Sequence, residues 1–319
     1  MIKKILSFIL KTVLSSFVNN FLKKKNFLII FRNGAAIGDH VYMSSVLREI
    51  SLQKSKKILL FSNYYNLFLN NPRIYKLFKI KRKSIIWFLL NNLKGNAILE
   101  FHSLKATRKS HFDEKKYFLY YHKNNKIHLA RAMSEHFNLN LQYSDLKNEF
   151  FFSNDEVLNF KNKLNLPKNY SLIQSTSKQS FTNNKEWKIS GMQAIVNFFN
   201  KINWIQIGQT GEPLLDNCKN YLDLDLRELA YVIDKCDFLI TYEGLFNHLA
   251  SCFNKKNFLI HTGFLPVEAF YYKNNILIEK NSEMGCYPCF ELNCQTHNSS
   301  CQKNITEEFV IDKIRRNIQ

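Results

Sequence analysis

The chain has 319 residues, 45% of them hydrophobic, and sets 45 Lys and Arg against 26 Asp and Glu for a formal net charge of +19. That length and apolar content suffice for about two cored domains and exclude a disordered polyelectrolyte. So positive a field attracts anions, but Lys and Asn are scattered through every segment and no Arg-rich helix or nucleic-acid motif occurs, so nucleic acid is not an expected partner.

In residues 1–25, Ile2, Ile5, Leu6, Ile9, Val13, Phe17, Phe21 and Leu22 recur at helical spacing, bordered by Lys3, Lys4, Lys11 and Lys23 to Lys25. Lys11, Thr12, Ser15 and Ser16 interrupt the stripe too often for a spanning helix of about 20 apolar residues. No small-residue cleavage site follows it. The segment reads either as a basic amphipathic helix lying on the inner membrane surface or as a helix packed on the domain. Both readings place the chain in the cytoplasm, with its seven cysteines reduced.

Residues 26–166 read as a first domain. Phe27 to Phe31 is an apolar run of strand length, and Val41, Val46, Leu47 and Ile50 then recur at helical spacing. The turn between them carries Gly34, Gly38 and Asp39. Further strands are expected at Lys57 to Phe61, Ala97 to Phe101 and Tyr117 to Tyr121, with helices at Ser84 to Leu93 and Ile127 to Phe137. A second domain, residues 167–300, begins after Leu166-Pro167. Its expected strands are Tyr170 to Gln174, Trp204 to Ile207, Asp237 to Thr241, Phe258 to His261 and Ile276 to Ile278, and its helices Gly191 to Asn200, Leu226 to Cys236 and Phe246 to Phe253. Asp225 followed by Glu228 makes a capping-box start for the second of these helices. A last helix is expected in residues 301–319. Alternating strands and helices call for parallel sheets, hence an α/β chain of two doubly wound, Rossmann-like domains facing across a cleft.

In such folds ligands bind beyond the carboxyl ends of the strands. Asp39 is the one carboxylate of the first glycine turn and reads either as an N-cap or as a general base, and Arg32 beside it as an anion contact or a strand end in solvent. Gly34 and Gly38 do not make the three-glycine nicotinamide pattern. In the second domain Ser175, Thr176, Ser177 and Lys185 suit phosphate oxygens. Glu212 suits a ribose, and Glu243, Gly244 and His248 lie around a strand-to-helix turn where a nucleotide would sit. Each also has a plain reading as a solvated, capping or packed residue. Cys286, Cys289, Cys294 and Cys301 are four thiols in sixteen residues. They read as a structural zinc or iron knuckle, with His297 as a spare ligand, or as disulfides or free thiols.

Taken in order, Arg32-Asn33-Gly34-Ala35-Ala36-Ile37-Gly38-Asp39, Lys185-Glu186-Trp187, Leu226-Arg227-Glu228-Leu229-Ala230, Glu243 to Ala250 and Cys286-Tyr287-Pro288-Cys289 resemble glycosyltransferase family 9, the heptosyltransferases of lipopolysaccharide core assembly. The resemblance runs from about Phe27 to Ile314, with Glu100 to Arg108 and His128 to Arg131 resembling acceptor-domain segments. It implies a GT-B fold, an ADP-heptose donor, a phosphorylated lipid-linked saccharide acceptor at the membrane face and no catalytic metal. It further implies that Asp39 deprotonates the acceptor hydroxyl, that Thr176, Ser177 and Lys185 hold the diphosphate, and that Glu212, the backbone near Leu224, Glu243, Gly244 and His248 contact ribose, adenine and donor. Arg32, Gly38, Arg108 and Arg131 fall on the acceptor side. Two positions depart from the family: Glu243 stands where an aspartate is usual and Leu245 where a glycine is. A non-catalytic binder of membranes or polyanions, and a transferase using another nucleotide sugar or a protein acceptor, are the competing expectations.

Overall fold

The structure is a computed structural model that describes residues 14–32, 36–81, 83–93, 95, 97–100, 127–135, 138–142, 146–177, 182–280, 284–291, 293–294 and 300–318. It divides into two compact units, one built from described residues of 1–108 and 129–153, the other from Ile127, His128 and the described residues of 154–319.

The first unit holds strands β1 (Phe27–Arg32), β2 (Lys57–Ser62), β3 (Ile74–Lys79) and β4 (Ile98–Glu100), with helices α1 (Ser15–Lys24), α2 (Ile37–Lys54), α3 (Ile85–Asn92) and α4 (Leu129–Glu135). The strands are all parallel in the order β3-β2-β1-β4. The chain therefore steps outward from β1 to β3 and returns to the other side of β1, which puts a topological switch point between β1 and β4. Helix α2 is buried nearly all round, including His40, Ser44, Ser45 and Glu49, and α4 packs against it. Ser44 and Ser45 satisfy their hydroxyls on the carbonyls of Val41 and Tyr42, so this polar content does not break the core.

The second unit holds α5 (Asn154–Leu164), β5 (Ser171–Gln174), α6 (Ile189–Phe198), β6 (Trp204–Gly208), β7 (Lys219–Leu222), α7 (Leu226–Lys235), β8 (Leu239–Thr241), α8 (Leu245–Cys252), β9 (Asn257–Ile260), β10 (Asn275–Ile278), α9 (Ser300–Lys303) and α10 (Glu307–Ile318). Its six strands are parallel in the order β10-β9-β8-β5-β6-β7. This is the order of a dinucleotide-binding sheet, with its switch point between β5 and β8. Ile173, Trp204, Ile240, Phe258 and Ile260 form the core with Met192, Ile195, Val310 and Ile314. The α/β class and paired Rossmann-like sheets expected from the sequence are thus present.

Two details depart from expectation. β3 and β7 are edge strands with exposed or half-buried side chains, so neither carries the apolar run that marks a central strand. The expected strand Tyr117 to Tyr121 lies outside the described residues. In α1 the buried face is Ser15, Asn19 and Leu22, while Phe17 is 73% and Phe21 52% exposed. The physical reason is Asn19, whose Oδ1 accepts from Ala97 N at 3.0 Å and whose Nδ2 donates to Ser15 O at 2.7 Å. Gly95, at φ +148°, leaves room for it, since a Cβ there would lie 2.0 Å from Asn19 Nδ2. Ile2 to Val13 lie outside the described residues. Among the described residues no helix is long and apolar enough to cross a membrane.

Candidate active site

At the first switch point, Arg32 ends β1 and Asp39 lies in the opening turn of α2. The Arg32 guanidinium, 5% exposed, reaches Asp39 Oδ2 at 3.3 Å, with the carboxylate side chain 32% exposed. Ala36, not Asp39, is the N-cap, and it offers no side-chain cap. The capping reading is therefore corrected. Asp39 stands within the first turn, where the amino end of the helix favours negative charge, and its side chain is spent on Arg32 rather than on the backbone. Behind it His40 is fully buried with its ring edge-on to Tyr64 at 4.8 Å. Burial first and the Arg32 charge second push its pKa from 6.5 to about 3, so it is neutral and takes no proton at ordinary pH. Gly38 is buried as the second residue of α2. Arg131 is exposed on α4, and Arg108 lies outside the described residues.

The second switch point gathers more chemistry. β5 runs into Ser175, Thr176 and Ser177, all nearly buried. Gln174 ties this loop to β8, donating to Thr176 O at 2.7 Å and accepting from Tyr242 N at 3.2 Å. Lys185, at the end of a single helical turn (Asn183–Lys185), places Nζ 2.5 Å from Glu243 Oε1 and 4.7 Å from the centroid of the Phe264 ring. Both partners of that ion pair are mostly shielded from solvent. Ser177 is engaged differently from expectation, because its N–H and hydroxyl both donate to Glu186 Oε1, at 2.9 and 3.1 Å. Lys185 is thus held by Glu243 much as Ser177 is held by Glu186.

Gly244 is the N-cap of α8 at φ 150° and ψ −154°, a region open essentially to glycine alone. A Cβ there would meet nothing within 4 Å, so there is open space beside the amino end of α8, where the helix favours negative charge. One turn on, His248 is 5% exposed with Nδ1 2.7 Å from the Tyr272 hydroxyl. Burial first and Lys185 second bring its pKa to about 3. Glu212 folds back over the end of β6, where a Cβ on Gly208 would lie 2.2 Å from its Oε2. Burial pushes that carboxyl upward, against a lowering contribution from the Thr176 hydroxyl beside it. Leu224, half buried, precedes the capped start of α7, and Asp223 N donates to Gly208 O at 3.0 Å, so the β6 and β7 ends are fastened together.

Thr176, Lys185, Glu212, Leu224, Glu243, Gly244 and His248 thus line the carboxyl edge of one sheet. Glu186 and Phe264 belong to the same edge, and Tyr272, ahead of β10, reaches His248 with its hydroxyl; none of the three was given a role from the sequence. An aromatic or a carboxylate in a loop carries no sequence signal until its partner is known. The cysteines behave otherwise. All seven are free, and among the described residues no group of three or more His, Cys, Asp or Glu side chains is arranged to hold a metal ion. Burial chiefly, and then the neighbouring Cys286, Glu291 and Cys294, raise the Cys289 thiol. Cys301 is raised in the same way by burial and then by Cys289, Cys294 and Cys286. The four thiols share one neighbourhood, and His297 lies outside the described residues.

No family model and no curated protein matches the chain. Solved structures do. TibC, an iron-containing dodecameric glycosyltransferase from enterotoxigenic E. coli H10407, superposes with a TM-score of 0.65 at 14% identity, over 91% of this chain and 76% of TibC. A glycosyl transferase family 9 protein from Veillonella parvula DSM 2008 gives 0.60 at 13% identity, over 92% of this chain and 98% of its own. E. coli heptosyltransferase WaaC, solved with ADP, gives 0.57 at 11% identity, over 91% and 100%. The chain therefore has the GT-B fold of the family 9 heptosyltransferases.

Proposed function

We propose that the protein is an inverting glycosyltransferase that moves heptose from ADP-heptose onto a lipopolysaccharide-core or related cell-envelope acceptor. The observation that carries the reading is the switch point between β5 and β8, where Thr176 follows β5, Lys185 pairs with Glu243 after β8 and Gly244 begins α8, on a fold shared with a heptosyltransferase solved with ADP. In this reading Asp39 takes the proton of the acceptor hydroxyl as its oxygen attacks the anomeric carbon. The bond from that carbon to the diphosphate breaks, and ADP leaves with its charge stabilised by Lys185 and the amino end of α8. Glu212 and the backbone at Leu224 hold the nucleoside, and His248, neutral, hydrogen-bonds the donor. Arg32 orients Asp39, and Arg131 with Arg108 meets the anionic acceptor.

Melting curves with ADP, UDP, GDP and NAD test the donor assignment, because a ligand that binds only the native state raises its stability. A rise with ADP alone is expected. A rise with UDP or GDP instead assigns another nucleotide sugar, and no rise with any of them leaves a non-catalytic binder.

A further inference from the structure

The net charge is not spread evenly. Residues 1–38 and 51–99 contain 17 Lys and Arg and no Asp or Glu, leaving 28 against 26 in the rest of the chain. Those segments supply α1 and α3, which share one face of the first sheet. Val18 and Leu22 of α1 and Trp87 and Leu90 of α3 pack on the same cluster as Phe27, Ile29 and Phe31, alternate residues of β1 that point to one side. Two helices on one sheet face turn their outer surfaces the same way. On those surfaces Leu14, Phe17 and Phe21 of the first segment and Ile85, Ile86 and Leu89 of the second are 36 to 79% exposed. Exposed lysines flank them, with Lys23 and Lys24 in the last turn of α1, Lys25 just after it, and Lys81 and Lys83 before α3.

Large apolar side chains grouped on a surface mark an interaction site. Here the charges that these segments contribute are all cationic, so an acidic, apolar-cored surface is the complement. We propose that the outer face of α1 and α3 docks on an anionic phospholipid bilayer, the apolar side chains entering the acyl boundary and the lysines meeting headgroup phosphates. The proposal stands apart from sugar transfer, and its failure would leave the donor assignment untouched.

The test is cosedimentation of the full chain with phosphatidylcholine vesicles, with and without about one-third phosphatidylglycerol. Binding is expected only to the anionic vesicles and should weaken as salt rises. Ile85→Glu should lower the partition coefficient about tenfold, since it removes an apolar contact and adds a repelled charge. Because Ile85 lies far from the amino terminus, this variant separates the two-helix face from binding by residues 1–13 alone. Lys81→Glu with Lys83→Glu, both exposed, should weaken binding comparably with an unchanged melting temperature. Equal binding to neutral vesicles, binding to neither, or full binding by Ile85→Glu or by the double lysine variant overturns the proposal.

Discussion

Lys185 has partners of opposite kinds, the Glu243 carboxylate and the face of Phe264. A diphosphate would compete for the same ammonium, so Lys185→Met should weaken ADP binding by about 10- to 100-fold, the value of a charge-assisted hydrogen bond. Calorimetric titration measures this, with Glu243→Gln added in a second variant to remove the carboxylate left without its partner. Unaltered ADP affinity in both would remove Lys185 from the site. His40 and His248 report through pH. Their folded pKa values, about 3, lie below the ordinary 6.5, so between these limits the unfolded chain binds more protons. Stability is therefore complete above about pH 6.5 and falls on acidification, by about 1.4 kcal/mol per pH unit for each histidine. Melting temperatures across that range should drop less steeply for His40→Phe than for the wild type, and an identical slope would show that His40 is not held neutral by burial.

At the scale of elements, the start of α7 was legible because its cap is local. Asp225 accepts from Arg227 N and Glu228 N while Glu228 reaches back to Asp225 N, and Asp225→Ala should cost about 1 kcal/mol in denaturant unfolding. The start of α2 misled for the opposite reason. An aspartate after a glycine suits a cap, but Arg32, seven residues away, holds it elsewhere. The support of His248 was not legible at all. Asn275 Nδ2 and Asn257 Nδ2 both donate to Asn247 Oδ1, and Asn275 Oδ1 accepts from Tyr272 N. This buried network joins β9, β10 and α8 and sets the tyrosine that meets His248. Asn275→Ala strips one donor from Asn247 and leaves Tyr272 N without its acceptor, and should destabilise by about 1 to 3 kcal/mol. A denaturation midpoint equal to that of the wild type would contradict the role given to the network.

At the scale of the molecule, the two sheets could be read in advance because β1, β5, β6, β8 and β9 are largely buried parallel strands and β2 is buried at every second residue, and burial leaves apolar runs. The edge strands β3 and β7 escaped because exposure erases that run. Charge needed both levels: counted along the whole chain it looks diffuse, and only the packing of α1 and α3 on one sheet face gives the acid-free segments a common surface. The central claim is the proposed transfer of heptose from ADP-heptose with Asp39 as the base. It is tested most directly by mass spectrometry of a heptose-deficient lipopolysaccharide core incubated with ADP-heptose and either the wild type or Asp39→Asn. The account predicts one added heptose with the wild type and transfer slowed at least about 100-fold by the substitution, the lower range for loss of a general base. No transfer from ADP-heptose by the wild type, or an undiminished rate in the folded variant, would contradict it.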